Sequence, residues 1–339
     1  MNLIALLIGL AIERLGTRIF HWRRMRWMER IIDAGFRRAG QFDGWPALIP
    51  VLVLAALLSL PVAVVILLLG DAFLGFPYLV LAIIVLFFSL GPQDIGEDVD
   101  EYCEALREED ETRIRQTAKS LVEGDVHEEA EARLHQVESA VFVQANNRLF
   151  AIIFWFVALG PLGPLGAWAY RVTDLMRRRA VFNAAREAEA GTADAADEAD
   201  TADAEDSDDE AGADAGTADA VAAAEMRLRL RNAAVSLHGW LAWIPARLTA
   251  VGYAVAGHFD GALGAWRAPA EHDKVTVSEG SELLLARVGN GALALHDSSD
   301  ESLNERAIRG AIAANRLVFR LLLIWAVIIA ALTLYGWSL

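Results

Sequence analysis

Pro245 and Arg247 stand two residues apart in the hexad Ile244-Pro245-Ala246-Arg247-Leu248-Thr249, in the middle of an apolar stretch over residues 235–257. An arginine at the centre of a membrane helix costs about 2.5 to 3.5 kcal/mol on insertion scales, and a proline inside a helix removes a backbone hydrogen bond. The segment therefore either lies at an interface or turns its arginine into a protein interior toward a carboxylate. Other polar residues flank apolar segments: Glu13, Arg14, Glu138, Ser139, Gln144, Asn146, Asn147, Tyr170, Asp174 and Thr249. Because charges within a membrane pair, Arg247 is expected to meet Glu13, Glu138 or Asp174. Glu13, Arg14, Glu138, Ser139, Asn146, Tyr170, Asp174, Arg247 and Thr249 make up the expected ligand-binding set. A structural ion pair that fixes helix packing is the competing reading.

No residue is assigned a catalytic or metal-binding role. The phosphate loop G-x-x-x-x-G-K-[ST], the zinc motif H-E-x-x-H and the nucleophile elbow G-x-S-x-G are all missing, and the seven histidines are scattered. The single cysteine, Cys103, rules out an intramolecular disulfide and a cysteine metal cluster. No cofactor follows from these residues.

The elements that must position them are membrane helices. The chain has 339 residues, 55% of them hydrophobic, and the apolar ones gather in blocks at 47–69, 76–90, 149–169 and 317–337. All but the second reach the roughly 18 to 20 residues needed to cross a bilayer. Trp45, Tyr78, Trp168, Tyr170, Tyr335 and Trp337 stand at block ends, where aromatic rings favour the headgroup level. The expected fold is all-α: a polytopic helical membrane protein with a broken or re-entrant helix pair and cytoplasmic helices. Residues 2–20 read as a first helix.

Arg18, Arg23, Arg24, Arg26, Arg30, Arg37 and Arg38 follow it, and this excess of positive charge places their loop in the cytoplasm. Trp22, Trp27, Ile31 and Ile32 make the same loop a basic amphipathic helix suited to anionic lipid. The 47–69 block then crosses outward, kinked at Pro61, and 76–90 returns after a turn at 70–75. Residues 91–148 read as two or three cytoplasmic surface helices. Two prolines and three glycines in Gly160-Pro161-Leu162-Gly163-Pro164-Leu165-Gly166 predict a helix break. The final block puts the C-terminus outside.

The net charge of −16 is mostly one segment. Fourteen acids and no lysine or arginine lie between Glu187 and Asp219, so the rest of the chain carries only −2. Residues 183–224, rich in alanine, aspartate and glutamate, read as a disordered tether. It separates an N-terminal membrane and cytoplasmic-helix region, 1–182, from a C-terminal membrane region, 225–339. The expected partners are the lipid bilayer, a small-molecule ligand and cytoplasmic regulatory proteins, with no nucleic acid.

The hexad, preceded by Trp240-Leu241-Ala242-Trp243, resembles the I-P-A-R-L-T segment of the membrane-bound cobalamin amide synthases, the adenosylcobinamide-phosphate synthase family. Glu13-Arg14, the Glu138-Ser139 pair, Ala169-Tyr170-Arg171 and Gly291-Ala292-Leu293 are similar to that family's motifs in the same order. The departures fall on acids. Phe142 and Val143 stand where the synthases have E-N, and Asn146 replaces an aspartate. His238 and Gly239 replace acids before the hexad, and Ser281 replaces a late asparagine. An ATP-dependent ligation needs carboxylates for metal and stabilisers for the transferring phosphoryl group.

A synthase pattern with altered acids resembles the AmpE family, as do Leu6 to Leu15 (LLIGLAIERL), Gly91-Pro92-Gln93-Asp94 and the late piece R-V-G-N-G-A-L. That resemblance implies a multi-pass protein of the bacterial inner membrane, regulatory rather than catalytic, linked to β-lactamase induction and cell-wall stress signalling. Its ligand would be a nucleotide or a cell-wall fragment. The alternative is an ATP-dependent membrane amide synthase of cobalamin biosynthesis.

Overall fold

The computed structural model describes residues 26–39, 46–69, 76–90, 95–122, 124–201, 213–268, 276–293, 295 and 301–335, with backbone alone for Arg26, Leu69, 187–201, 213–223 and Leu334. The first helix with Glu13 and Arg14, the turn at 70–75 and the segment 91–94 lie outside the described residues. Every regular element among the described residues is helical, as the apolar blocks require. In chain order these are α1 Arg26–Ala39, α2 Leu48–Leu69, α3 Phe76–Ser89, α4 Ile95–Glu108, α5 Glu111–Val122 and α6 Ala130–Ala145. A π-helical segment Asn146–Phe150 leads to α7 Ala151–Ala158, and a 3₁₀ turn Gly160–Leu162 leads to α8 Gly163–Thr201. The remainder are α9 Ala213–Ala256, α10 Phe259–Arg267, α11 Val277–Leu293 and α12 Leu303–Leu334.

Among the described residues three stretches are long and apolar enough to cross a membrane: Leu48–Leu68, Ala130–Ala158 and Leu303–Thr333. Helix α2 is apolar on every side, the mark of a helix surrounded by lipid or core, and it carries Pro61 without interruption. Two boundaries differ from the sequence reading. The block at 149–169 is not one span: its helix starts at Ala130 and stops at Ala158. Helix α6 is accordingly no surface helix but part of a buried rod, with Leu134, Val137, Val141 and Phe142 almost wholly enclosed. The last helix starts at Leu303, where Ser302 and Glu305 form a capping box that satisfies the first-turn N–H groups.

The chain divides into two compact units. In the first, which holds the described residues of 62–171 and 239–339, the rod α6–α7 is the centre. Helices α5, α11 and α12 pack on α6, while α4 packs on α5 and α12. Ile95, Val99, Tyr102, Cys103 and Leu106 of α4 fall at helical spacing and face this core. Small residues let the helices close up. A Cβ on Gly289 of α11 would overlap the ring of Phe142, and one on Gly310 of α12 would overlap the Glu138 carboxylate.

The predicted break is present. Gly160 has φ 54°, a left-handed conformation that favours glycine, and the rod ends there. A Cβ on Gly166 would lie 2.8 Å from the Trp155 carbonyl oxygen, so α8 starts back alongside α7 as the second arm of a hairpin.

The second unit comprises 25–61 and 172–238. Arg179 of α8 grips Asp33 of α1 through two hydrogen bonds of 2.8 and 2.6 Å, and Asn183 adds a third of 3.0 Å. The Arg179 hydrogen bond holds the Asp33 carboxyl below its ordinary pKa. Helical backbone extends through 183–201 and 213–224, where the sequence predicts a tether, in keeping with the helix propensity of alanine.

Candidate functional site

Residues 141–158 are apolar except for Gln144, Asn146, Asn147 and Arg148, and the backbone changes character at these four. Between Asn146 and Phe150 the rod widens to a π-helical turn, with the Ala151 N–H bonded to the Asn146 carbonyl. Such bulges shift side-chain directions within a helix and recur at functional sites. Here all four polar side chains are buried.

Helix α9 meets this turn with one face. Ala246, Thr249, Ala250 and Tyr253 recur at the spacing of three and four that makes a helical stripe, and all four are fully enclosed. Thr249 Oγ1 donates to Asn146 Oδ1 at 3.0 Å, and Tyr253 donates its hydroxyl to the Phe142 carbonyl at 2.9 Å. Asn146 Nδ2 donates to Asn147 Oδ1 at 3.1 Å, and Tyr170 of the returning α8 donates to the same oxygen at 3.4 Å. Among the described residues the buried Asn147 Nδ2 group has no hydrogen-bond partner. An unpaired buried donor costs about 1–3 kcal/mol, which marks the cluster as built for something besides packing.

Below the asparagines runs a chain of stronger bonds. Arg148 gives Nε to Gln144 Oε1 at 3.1 Å, Nη1 to Asp98 of α4 at 2.8 Å and Nη2 to the Ser120 carbonyl of α5 at 3.3 Å. Arg148 and Asp98 are both buried. One guanidinium thus ties the rod to two helices of the 91–148 region. Gln144 also lines a groove of about 600 Å³ with Gln136, Ser139, Val143, Glu282 and Leu283. Asn290 Nδ2 donates to Ser139 Oγ at 2.9 Å, joining the Glu138-Ser139 pair to the late R-V-G-N-G-A-L piece.

The expected binding residues are distributed differently from the sequence reading. Asn146, Tyr170 and Thr249 do come together, around Asn147. Tyr170 is therefore no headgroup anchor but a buried donor. Ser139 lines the groove, and Glu138 is buried against Gly310 with His135 Nδ1 3.5 Å from its carboxylate. Asp174 lies in the second unit, where it accepts from Arg177 at 3.1 Å and Arg178 at 2.8 Å, with His238 Nε2 3.7 Å away. Glu13 and Arg14 are outside the described residues.

Arg247 has a different neighbour among the described residues, and Glu13 lies outside them. No described carboxylate is a partner of Arg247. Its guanidinium carbon sits 3.9 Å from the centroid of the Trp243 ring, and Nη1 donates to the Trp243 carbonyl at 3.1 Å. The reason is helical phase. Each residue turns the helix by about 100°, so position 247, two residues before the inward-facing Thr249, points about 160° away from it, whereas Trp243 lies one turn below Arg247 on the same side. A cation over an indole face gains about 0.5–2 kcal/mol, so the ring offsets part of the cost of the arginine.

Sequence reasoning missed Asp98 and the role of Arg148. A signal was present in Arg148, which closes four polar residues inside an apolar run. Asp98 gave none, being one of several acids on an amphipathic helix. Carboxamides and hydroxyls dominate the buried cluster, and these groups stay neutral across physiological pH. They can hold a polar ligand or a helix register, but offer no general base. Among the described residues no group of three or more His, Cys, Asp or Glu side chains could hold a metal ion.

A family model described as regulatory signalling modulator protein AmpE matches residues 1–195 and 220–339, leaving out only the centre of the acidic segment. No curated protein and no solved structure gives a significant match.

Proposed function

This chain belongs to the family of the regulatory signalling modulator protein AmpE, and on that premise we propose that it senses a small polar ligand at the bacterial inner membrane and passes the ligand's presence to cytoplasmic partners that control β-lactamase induction. The observation that carries this reading is the position of Gln144. Its side chain stands in the groove wall, and its Oε1 holds Arg148, which in turn holds Asp98 and the Ser120 carbonyl. A ligand that draws the Gln144 amide to itself removes one of the bonds positioning Arg148, and the tie to α4 and α5 changes with it. Such coupling requires that the ligand bind one arrangement better than the other.

The groove also selects between ligand classes. Gln136, Ser139 and Gln144 offer neutral donors and acceptors, Val143 and Leu283 an apolar wall, and Glu279 and Glu282 two carboxylates. Phosphates of a nucleotide would face those carboxylates with no cation among the described lining residues. An amine-bearing, hydroxyl-rich fragment of cell wall suits the lining better. Catalysis is not required of this site, and the altered acids of the synthase pattern fit a binding role on a synthase-derived fold.

The test is thermal stability of the purified full-length protein with muropeptide fragments, nucleotides or corrinoids. A rise in melting temperature with muropeptides, lost in Gln144→Leu, is the expected result. An unchanged melting temperature with all three classes would remove the sensor reading. Turnover of adenosylcobyric acid would replace it with the synthase.

A further inference from the structure

Helix α1 and the first half of α2 enclose a trough of about 430 Å³ in the second unit, remote in sequence from every residue of the groove just described. Its walls are apolar: Ile31, Ala34 and Gly35 on one side, Val53, Leu54 and Leu57 on the other. Small residues create it. Leu54 leans into Gly35, where an added Cβ would lie 2.6 Å from Leu54 Cδ1, and Ala34 leaves the adjoining space unfilled. Val53 and Leu57 are each 60% exposed on a helix long and apolar enough to cross a membrane, so the trough opens on the side where lipid must lie.

Among the described residues its charged rim has one sign. Arg38 is the only charged one of the described residues in the lining, and Arg30 and Arg37 are exposed on the same helix. The acids of α1 are directed elsewhere. Asp33 is held by Arg179 and Asn183, and Glu29 stands 3.9 Å from Arg179. Trp27 and Ile31, both exposed, give α1 the apolar side that an interfacial helix presents to a bilayer. Apolar trough, adjoining span and cationic rim together match one molecule: a lipid with its chain in the trough and its phosphate at the arginines.

We infer that the trough between α1 and α2 is a binding site for an anionic phospholipid, one acyl chain lying against Ala34, Gly35, Val53 and Leu57 and the phosphate paired with Arg38. Zwitterionic lipids of the same chain length fill the trough but leave the remaining arginine charge uncompensated, so they bind less tightly. The site makes the packing of α1 on α2 depend on the surrounding membrane.

Delipidated full-length protein in neutral detergent, titrated with phosphatidylglycerol or with phosphatidylcholine of identical chains and read by native mass spectrometry, tests this. One phosphatidylglycerol is expected to remain bound per chain, at roughly five-fold or more higher affinity than phosphatidylcholine, the effect of one arginine near an anionic surface. Arg38→Gln is expected to erase that preference. Ala34→Phe fills the trough while keeping every arginine, and is expected to abolish retention of both lipids. Circular dichroism and gel filtration identify a variant that has merely failed to fold, in which case Ala34→Leu takes its place. Equal affinity for the two lipids, or undiminished retention in the folded trough-filling variant, would overturn the site. So would glycerol 3-phosphate displacing the lipid as well as a second lipid does, since the chain would then contribute nothing.

Discussion

Thr249 Oγ1 donates a 3.0 Å hydrogen bond to Asn146 Oδ1 across 103 positions of sequence, and both side chains are fully enclosed. Replacing the hydroxyl by a methyl keeps the shape and strands the amide oxygen. Thr249→Val is expected to destabilise the protein by about 1–3 kcal/mol, the cost of one unpaired buried acceptor. Thr249→Ser is expected to retain most of the stability. Chemical denaturation in detergent, followed by tryptophan fluorescence, distinguishes the two, and equal loss in both would mean that the methyl and not the hydroxyl matters.

Arg148 and Asp98 present a sharper case because both are charged and buried. Breaking such a pair from one side leaves an uncompensated charge and costs about 3–5 kcal/mol. Asp98→Leu and Arg148→Met are each expected to fall in that range. The double variant is expected to be more stable than either, since no buried charge remains. Additive losses in the three-variant cycle would show that the two residues act independently.

The all-α class and the break at Gly160 were legible in the sequence because composition and proline-glycine content act locally. The ends of the rod were not. A block of apolar residues gives the length of lipid-compatible chain, but α6 is buried by protein, and its polar residues, Glu138 and Gln144 among them, hide a continuous helix from a simple hydropathy reading. The site divided the same way. Asn146, Tyr170 and Thr249 stood out as polar residues beside apolar runs, and they do converge. Arg247 stood out for the same reason, and among the described residues it meets the Trp243 ring, because the cost of a buried arginine says that it needs a partner without saying which kind. Asp98 was invisible, since only tertiary packing separates it from its acidic neighbours.

Arg247 on Trp243 carries its own expectation. With an aromatic ring beneath it and no acid beside it among the described residues, Arg247→Met is expected to lose only about 0.5–1 kcal/mol, the value of a partly exposed cation–π contact. Trp243→Leu should cost a similar amount, and the double variant little more than either. A loss several times larger for Arg247→Met alone would indicate a buried charge partner, for which Glu13 is the candidate.

The acidic segment offers a test of a different kind. The family match omits 196–219, and the fourteen acids over 187–219 contribute most of the net charge. Deleting 196–219 is expected to leave melting temperature and membrane insertion unchanged while raising the isoelectric point. Limited proteolysis is expected to cut the intact chain first within this segment. A protein that fails to insert or melts lower after the deletion would show that the acidic segment contributes to the fold.

Tyr102 and Cys103 lie side by side on α4, both enclosed, and burial pushes their pKa values up to about 12 and about 11. Burial disfavours the ionised forms, so the folded protein keeps both protons after the unfolded chain has released them at ordinary values near 9 to 10. The resulting stability is complete below about pH 9 and is lost as pH rises toward 12, because the unfolded state binds fewer protons there. Denaturation midpoints are expected to hold steady from pH 7 to 9 and then fall, and the fall is expected to be shallower in the Tyr102→Phe, Cys103→Ala double variant. Maleimide should label Cys103 only on unfolding, given that its thiol faces the Ile308 carbonyl at 4.0 Å inside the core. Rapid labelling of the native protein at pH 8 would place α4 on the surface and with it the Arg148 tie.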